Sequence, residues 1–434
     1  MDVDHAIFAP GFKQEPYWWE AAPRPRLEPE ALPEKVDVAV VGSGFTGLSA
    51  ALTLARAGRE VALIEARDPG FGASTRNAGF VGKTLKHSFR EVMTNKGLAR
   101  AIAVHGEARA AFDHVTELIE KEQISCGLER CGRFMGALSA HHYETMAAEL
   151  ELRRQHLGEE FEMVPRREQH REVGSELYHG GAMVPAMAAV HPALYQSGLL
   201  DRVKSAGARV IANTPVTGLR REGGGFRVAT GRGSLSARDV VLATNGYSGR
   251  ATPDFRRRVI PFRAFMIATE PLGREVLARA LPQGRTFHDY NNNLTYIRPA
   301  PDGSRLLLGA HTGTVEDNLE IMATRLHGRL RQVFPELSGA RLSHCWSGYG
   351  AAAFDLYPHV GVRDGVHYAM GYCFAGLPMG TYLGHKAALM VLGSPEARTV
   401  FGERELPTRS YYWGRPWFVP AAMAYYNWLD RRGR

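Results

Sequence analysis

The sequence of 434 residues is poor in cysteine and contains no paired-cysteine motif. The four cysteines are Cys126, Cys131, Cys345 and Cys373, and none forms the Cys-x-x-Cys spacing that is typical of zinc sites. Near Met1 no basic segment precedes an apolar one, so the sequence predicts no secretory signal. We therefore expect free thiols in a reducing, cytoplasmic environment and no bound metal.

Long hydrophobic runs and dense charge clusters are also missing. Residues 36–55 are apolar, but Asp37 and a glycine-rich motif interrupt them and Arg56 follows at once, whereas a membrane span needs about 20 mostly apolar residues. The formal net charge of +8 is scattered, and its densest run is Arg256–Arg258. Without a recognised binding motif, this charge indicates no nucleic-acid partner. A chain of this length suits two intergrown domains.

What the sequence does contain is a strand–helix–strand pattern near its start. Residues 36–41 are mostly β-branched and apolar, which predicts a buried strand. Residues 45–57 place apolar side chains on one face, which predicts a helix that Gly58 ends. Residues 61–64 predict a second strand, and the helical crossover implies that the two strands pair in parallel.

The turn between the first strand and the helix carries glycines at the spacing of a dinucleotide-binding fingerprint. Gly42 permits the tight turn, Gly44 lets the backbone approach a pyrophosphate, and Gly47 lets the helix pack close to the strand. The N-terminus of the helix offers N–H groups to phosphate. Glu65 follows the second strand, where an acid accepts the hydroxyls of a ribose. The pattern predicts a dinucleotide site but does not separate NAD from FAD.

Four later segments carry small residues in a characteristic order. They are residues 72–79 (GASTRNAG), 213–216 (NTPV), 242–246 (LATNG) and 371–381 (GYCFAGLPMGT). Together they resemble segments of the D-amino acid oxidase-like superfamily, in which they contact the pyrophosphate, the adenine and the flavin of FAD. The resemblance covers residues 17 to about 393. The segments YWW at residues 17–19 and TEPL at 269–272 are most like the gamma-glutamylputrescine oxidoreductase branch.

The resemblance implies FAD as the cofactor and the residues that contact it. The implied contacts are Gly42, Gly44, Phe45, Thr46, Gly47, Glu65, Ala66, Arg67, Gly72, Ala73, Ser74, Arg76, Asn77, Ala78, Gly79, Val216, Thr244, Asn245, Gly246, Gly348, Gly376, Leu377, Met379, Gly380 and Thr381. Some relatives attach FAD through a His in the segment matching Arg76–Asn77 or a Cys around Gly348. Neither residue is present at these positions, so we expect noncovalent FAD. Residues 373–375 depart from the usual Ser-Gly-His of the family.

The implied fold is a Rossmann-like FAD-binding domain of the glutathione reductase-like type (α/β) with an intergrown antiparallel-sheet substrate domain (α+β). The expected division assigns residues 36–92, 170–255 and 340–400 to the FAD-binding domain and residues 93–169 and 256–339 to the substrate domain. Residues 1–35 would form an extended arm. The aromatic tail, residues 401–434, is expected to pack over the cofactor domain, which we favour over contact with a membrane surface.

Members of the superfamily oxidise a C–N bond by hydride transfer to flavin N5, and water then hydrolyses the imine. The resemblance therefore implies a small-molecule amine as substrate and O₂ or another electron acceptor. Gly350 stands where relatives acting on amino acids carry a carboxylate-binding Arg, which favours an amine or a remotely held carboxylate. Two alternatives stay open: an amino- or imino-acid dehydrogenase that reduces a quinone, and a flavin-binding scaffold without turnover.

Four side chains are candidates for contact with the substrate or the reacting atoms. Tyr296 and Arg298 lie on a strand that faces the substrate in this family, where Tyr296 would cover the flavin and Arg298 would bind a remote carboxylate. Lys83 and His87 follow the flavin-reaching segment, and a lysine near flavin N5 assists oxygen reduction in some relatives. The alternative for each is a structural or solvated side chain. His288, Asp289 and residues 291–293 are also expected to line the pocket.

Overall fold

Two large sheets, each covered by helices, organise the polypeptide. The structure is a computed structural model that describes residues 3–28, 30–313 and 316–431. The strands are β1 (Phe8–Lys13), β2 (Lys35–Val41), β3 (Val61–Ile64), β4 (Phe80–Val81), β5 (Arg133–Gly136), β6 (Glu162–Val164), β7 (Gly181–Val184), β8 (Ala188–Ala189), β9 (Arg209–Ile211), β10 (Val216–Glu222), β11 (Gly225–Thr230), β12 (Gly233–Leu242), β13 (Val259–Thr269), β14 (Thr286–Asp289), β15 (Tyr296–Pro299), β16 (Leu306–Ala310), β17 (Leu342–Ala353), β18 (His359–Arg363) and β19 (Val366–Met370). The α-helices are α1 (Trp18–Ala21), α2 (Phe45–Arg56), α3 (Phe89–Lys96), α4 (Leu98–Lys121), α5 (Ala140–Leu157), α6 (Pro192–Ser205), α7 (Pro253–Arg256), α8 (Arg274–Ala280), α9 (Leu319–Val333), α10 (Gly376–Val391) and α11 (Val419–Arg431).

The first sheet contains the predicted strand–helix–strand unit. Its order is β10-β11-β12-β2-β3-β9, and β19 pairs with β12 while β18 pairs with β19. The strand β2 pairs in parallel with both β3 and β12, so that Val41 lies opposite Ile64 on one side and Leu242 on the other. Because both faces of β2 are covered, Val38 and Val40 pack towards the helices while Ala39 and Val41 pack on the opposite face. This burial explains the continuous apolar run in the sequence.

The second sheet is mostly antiparallel. Its order is β1-β17-β13-β16-β15-β14-β5-β7-β6, and β1–β17 and β14–β5 are its parallel pairs. The helix α9 covers one face, where Leu326 and Leu330 share a core with Phe265 and Ile267. The other face is turned towards the first sheet.

The predicted fold class is confirmed, and most predicted elements are present. The predicted strand–helix–strand unit is present as β2, α2 and β3. Residues 209–222 do not form one continuous strand but are divided into β9 and β10. The division falls at Pro215, which has no N–H to donate to a neighbouring strand, and at Asn213, which has a φ of 52°.

The segments that build each of the two sheets differ from the segments that were assigned to the two expected domains. The strand β17 lies in the second sheet although residues 340–400 were assigned to the FAD-binding domain, and β7 differs in the same way. Conversely, α4 lies in the core of the first sheet through Val104 and Phe112, although residues 93–169 were assigned to the substrate domain. The apolar pattern of a segment shows that it is buried but not which sheet buries it.

The arm and the tail both join the packed structure. The arm adds β1 to the edge of the second sheet, and Trp18 is fully buried. In the tail, Leu406 packs in the core on one face of the first sheet, and the buried Tyr412 donates a hydrogen bond to the carbonyl of Val259 at 2.8 Å. The tail therefore contributes the buried side chains of Leu406 and Tyr412 to the packed interior.

The helix α11 lies against a loop of the second sheet. The carboxylate of Asp430 accepts hydrogen bonds from the backbone N–H groups of Asn292 and Asn293 at 2.8 and 3.1 Å. The Nζ atom of Lys86 lies 5.1 Å from the ring centroid of Tyr426. Within the described ranges, no helix has the length and apolar character that crossing a membrane requires.

Two truncations of the tail should have different effects on stability. Removing residues 405–434 deletes Leu406 and Tyr412 from the core, which we expect to cost at least about 3 kcal/mol of unfolding free energy. Removing only residues 419–434 deletes α11 and leaves those two side chains in place. Urea unfolding of both variants, followed by circular dichroism, compares them with the full chain. Equal stability of the full chain and the longer truncation would contradict this account of the tail.

Candidate active site

The fingerprint turn forms a tight backbone cradle at the N-terminus of α2. Gly42 has a φ of +103°, which a residue with a side chain rarely adopts, and its N–H donates to the carbonyl of Ile64 at 2.9 Å. A Cβ on Gly47 would lie 1.8 Å from the carbonyl oxygen of Gly42. The helix can therefore approach the strand only because residue 47 has no side chain. A Cβ on Gly44 would lie 2.9 Å from Ser74 Oγ.

The acid after β3 is fixed in the position that the sequence predicted. One carboxylate oxygen of Glu65 accepts hydrogen bonds from the backbone N–H and the hydroxyl of Ser43, at 2.9 and 2.7 Å. The other accepts from the N–H of Arg67 at 3.1 Å. These contacts hold the carboxylate beside the glycine turn, where both can face one nucleotide.

The segment of residues 72–79 runs alongside this cradle and is anchored through its backbone. Three indole N–H groups contact it: that of Trp18 donates to the carbonyl of Asn77, that of Trp346 to the carbonyl of Arg76, and that of Trp19 to Thr75 Oγ1, at 2.9, 2.9 and 3.0 Å. The side chain of Asn77 accepts from the N–H of Gly79 at 2.8 Å. The segment is therefore held in place by hydrogen bonds from the protein itself.

One cavity of about 920 Å³ extends from the cradle into the space between the sheets. Most predicted cofactor contacts line it: Gly42, Gly44, Phe45, Thr46, Glu65, Ala66, Arg67, Gly72, Ala73, Ser74, Arg76, Asn77, Ala78, Val216, Thr244, Asn245, Gly348, Gly376 and Leu377. Its far end is lined by Phe80, Arg133, Met135, Met187, His288, Tyr290 and Tyr296. The cavity thus joins a dinucleotide cradle to an aromatic and basic pocket.

The remaining predicted contacts lie behind the cavity wall and serve packing. A Cβ on Gly79 would lie 2.1 Å from the carbonyl oxygen of Val190, and one on Gly246 would lie 2.7 Å from that of Gly350. In α10, Gly380 packs against Thr46 of α2, and Thr381 shares a hydrogen bond of 3.2 Å with the hydroxyl of Tyr195. Met379 is buried in the same core, and Gly47 acts through the close approach described above.

The N-terminus of α10 reaches the cavity in the segment that departs from the family pattern. Its N-cap is Ala375, which has no side-chain oxygen, so the first N–H groups of the helix have no side-chain cap. Cys373 and Phe374 precede it with φ values of +42° and +74°. The Phe374 ring is 54% exposed and lies 4.8 Å from the ring of Phe262. An uncapped helix N-terminus favours negative charge at this point of the cavity.

Two of the four candidate side chains line the cavity. The ring of Tyr296 lies 6.3 Å from that of Phe80, and burial raises the pKa of its hydroxyl. It fits only because Gly309 is opposite on β16, where a Cβ would lie 2.1 Å from the ring. His87 also lines the cavity, but its two nitrogens contact Glu91 and the carbonyl of Asp355, each at 2.8 Å.

The other two candidates are outside the cavity and have structural partners. The Nη1 of Arg298 donates to the carbonyls of Ala78 and Val190 at 3.2 and 2.8 Å, and its Nε donates to that of Pro299 at 3.1 Å, so these donors are engaged by the backbone and not by the cavity. The buried Lys83 pairs with Glu159 at 3.5 Å, and burial lowers the pKa of its ammonium group. The sequence could not indicate these partners, because they come from distant segments.

Arg133 is a cavity residue that sequence reasoning missed. It begins β5 and its side chain is 4% exposed. An arginine in a short strand gives no motif, and only the pairing of β5 with β14 brings it beside His288 and the cavity. Of the predicted pocket residues, His288, Asn291 and Asn292 line the cavity, as does Tyr290, which was not predicted, while Asp289 forms an ion pair with Arg329 at 2.8 Å.

The comparisons with known proteins agree with this site. Residues 37–390 match the family model described as DAO, FAD dependent oxidoreductase. The chain is similar to "Gamma-glutamylputrescine oxidoreductase" of Escherichia coli, with 29% identity over 92% of this chain and 93% of the relative. It is also similar to "Probable oxidoreductase OrdL" of Haemophilus influenzae, with 28% identity over the same shares.

Solved structures of the same architecture are known. Glycine oxidase from Geobacillus kaustophilus superposes with a TM-score of 0.73 at 23% identity, over 87% of this chain and 100% of that one. L-proline dehydrogenase from P. horikoshii superposes with a TM-score of 0.69 at 18% identity, over 90% and 99% of the two chains. The predicted resemblance is confirmed, and FAD is the cofactor that the cradle accommodates.

Glycine substitutions should separate cofactor binding from folding. In Gly47→Ala the new methyl group collides with the carbonyl of Gly42, so we expect the purified protein to contain less than about a tenth of the normal FAD. In Gly44→Ala the methyl group meets only the Ser74 hydroxyl, which can rotate away, so the fold should persist while FAD binds more weakly.

The matched control is Gly106→Ala. Gly106 lies within α4 and a Cβ there would have no neighbour within 4 Å, so this variant should retain full FAD and fold at least as stably. The ratio of flavin to protein absorbance, with far-UV circular dichroism, measures both properties. A Gly47→Ala protein with stoichiometric FAD would refute the proposed role of the close approach.

Proposed function

The chain belongs to the DAO family of FAD-dependent oxidoreductases, which act on amines or amino acids, and we propose that it is an oxidase of amines. Its substrate would be a primary or secondary amine of the gamma-glutamylputrescine type, oxidised at the carbon beside the nitrogen. O₂ would then re-oxidise the cofactor.

This proposal rests on the close contact between Gly350 and Phe262. Gly350 occupies the position at which amino-acid-oxidising relatives are expected to carry a carboxylate-binding arginine. The two residues are opposite each other on β17 and β13, and a Cβ on Gly350 would lie 2.6 Å from the Phe262 ring. The ring therefore fills the space in which such an arginine would begin. A bidentate clamp for an α-carboxylate cannot form here, and an amine without that group is favoured.

The residues around the cavity can bind and orient such an amine without an acid–base pair. FAD, when bound, supplies the hydride acceptor for the carbon beside the amine nitrogen. The uncapped N-terminus of α10 favours the negative charge that accompanies reduction. Phe80 and Tyr296 form an aromatic wall that excludes water from the reacting end of the cavity. A neutral amine provides its own lone pair, so the protein need not remove a proton from carbon.

The names of the relatives support an amine substrate. The relative from Escherichia coli is named for an amine, gamma-glutamylputrescine, and covers nearly the whole chain. The competing proposal is a dehydrogenase that passes electrons to a quinone. The tail gives it some support, because Trp413 and Trp417 are about 70% exposed and could lie on a membrane surface.

Anaerobic reduction of the flavin tests the proposal directly. A panel of amines and α-amino acids is mixed with the holoprotein under nitrogen, and flavin absorbance is followed. We expect at least one amine to bleach the flavin about tenfold faster than any α-amino acid, because no arginine clamp holds the α-carboxylate. Admitting air should restore the absorbance within seconds. Bleaching by amino acids alone would overturn the amine assignment, and re-oxidation by quinone but not by air would favour the dehydrogenase.

The pH dependence of kcat/KM provides a second test. Burial lowers the pKa of His288 to about 4 and that of His105 to about 3, so these two of the histidines that line the cavity stay neutral from pH 5 upwards. The substrate amine, with a pKa near 10, is then the group that must lose a proton. We expect kcat/KM to rise about tenfold per pH unit between pH 6 and 9, without an inflection near 6.5. A plateau reached below pH 7 would implicate a protein base instead.

A further inference from the structure

Five cationic side chains are buried among the described residues: Lys83, Arg133, Arg153, Arg258 and Arg298. A charge removed from water is strongly unfavourable unless an opposite charge or a set of hydrogen bonds replaces the water. The partners of these five side chains therefore indicate which of them have a structural role.

Four of the five have such partners. Lys83 and Arg153 share Glu159, at 3.5 and 3.0 Å. Arg258 pairs with Asp254 at 2.9 Å and donates to the carbonyl of Leu406. Arg298 has three carbonyl acceptors, as described above. Each of these cations therefore has a carboxylate or carbonyl partner within the protein, with Lys83 and Arg153 sharing one carboxylate.

Arg133 is the exception. Its Nε donates to Thr286 Oγ1 at 3.2 Å, but Nη2 is buried without a hydrogen-bond partner and no carboxylate lies within 4 Å of the guanidinium among the described residues. The guanidinium lies over the ring of Phe80 at 4.7 Å, which covers one face of the group and leaves the donating edge unsatisfied. Desolvation lowers the pKa of Arg133 to about 10, and it remains charged at neutral pH.

The free edge of this guanidinium belongs to the cavity. Arg133 lines it together with Met135, Val184, Met187 and His288. His288 Nδ1 lies 2.8 Å from the carbonyl of Asp289, which makes Nδ1 the donor and leaves Nε2 as an acceptor. Glu149 and Glu159 also line the cavity, but Glu149 accepts from the N–H of Phe89 and Glu159 pairs with Lys83, and neither forms an ion pair with Arg133. Apolar walls strengthen the attraction between this cation and an incoming anion.

Resting on the proposed amine oxidation, we infer that Arg133 binds a carboxylate at the end of the substrate remote from the reacting amine. The planar fork of two terminal nitrogens matches a carboxylate through two parallel hydrogen bonds. Phe80 stands between Arg133 and Tyr296, and it directly follows the segment of residues 72–79 that approaches the cofactor. A substrate that extends along the Phe80 ring would reach both ends, so the substrate class is an ω-amino carboxylate or a longer amine with a terminal carboxylate.

A matched substrate series tests this inference. The probes are 4-aminobutanoate, 5-aminopentanoate and 6-aminohexanoate, each compared with the alkylamine of the same chain length and with its primary amide. The holoenzyme should prefer the carboxylate at its best chain length by at least about tenfold in kcat/KM, mainly through KM. Arg133→Met should remove this preference and leave kcat on the alkylamine within about threefold. Arg133→Lys, which keeps the positive charge but not the two parallel guanidinium donors, should recover part of the preference for the carboxylate.

The control for a general charge effect is Lys86→Gln. Lys86 also lines the cavity but contacts Tyr426 at its mouth, so this variant should retain the preference for the carboxylate. A thermal melt of each variant separates binding from a structural role. Replacing an unpaired buried cation by methionine should leave Tm unchanged or raise it, whereas loss of a structural contact would lower it.

A binding measurement keeps this inference separate from the proposed reaction. Pentanoate and hexanoate, which have no amine to oxidise, are titrated into the holoenzyme while the flavin difference spectrum is recorded, with pentanamide and hexanamide as controls. Saturable binding of the carboxylates that Arg133→Met abolishes would support the site even if no amine reduced the flavin. The inference would be overturned if the wild type bound no carboxylate at roughly 10 mM, a concentration at which even weak ligands bind. It would also be overturned if Arg133→Met bound the carboxylates as well as the wild type does.

Discussion

The backbone of residues 72–79 is the element on which both halves of the molecule depend. Indole N–H groups from the arm and from β17 bind its carbonyls, and Arg298 of β15 donates to Ala78. One face of the segment meets the glycine cradle through the contact of Ser74 Oγ with the N–H of Phe45 at 3.0 Å. Hydrogen bonds to this stretch of main chain therefore connect the two sheets. The stretch itself has no regular secondary structure apart from one short turn.

This arrangement explains why two buried arginines of the second sheet have different roles. Arg298 donates to the carbonyls of Ala78 and Val190, which lie in segments distant from it in the sequence. Arg133 instead lines the cavity, with its donors directed into it. Two buried arginines of similar exposure therefore differ only in what surrounds their guanidinium edges. Burial alone does not distinguish these two arginines, but their hydrogen-bond partners do.

Much of the cofactor site could be predicted because its residues are local in sequence. The cradle, the acid Glu65 and the segment of residues 72–79 follow within 40 residues of one another, and their geometry is set by glycine and by short strands. The substrate pocket could not be predicted from local sequence patterns. Arg133, His288 and Tyr296 come together only through the pairing of β5, β14 and β15, and the sequence does not encode strand order in a local pattern. The same limit explains why Arg298 was expected in the pocket, since its neighbour Tyr296 does reach it.

Two glycine–aromatic pairs form the floor of the pocket: Gly309 lies under Tyr296, and Gly350 lies under Phe262. In each pair the ring on one strand occupies the volume that a side chain on the next strand would need. Neither position of a pair can therefore change alone without a cavity or a collision. When related enzymes diverge, the two residues of a pair must therefore be substituted together. The shape of the pocket would then change one pair at a time rather than one residue at a time.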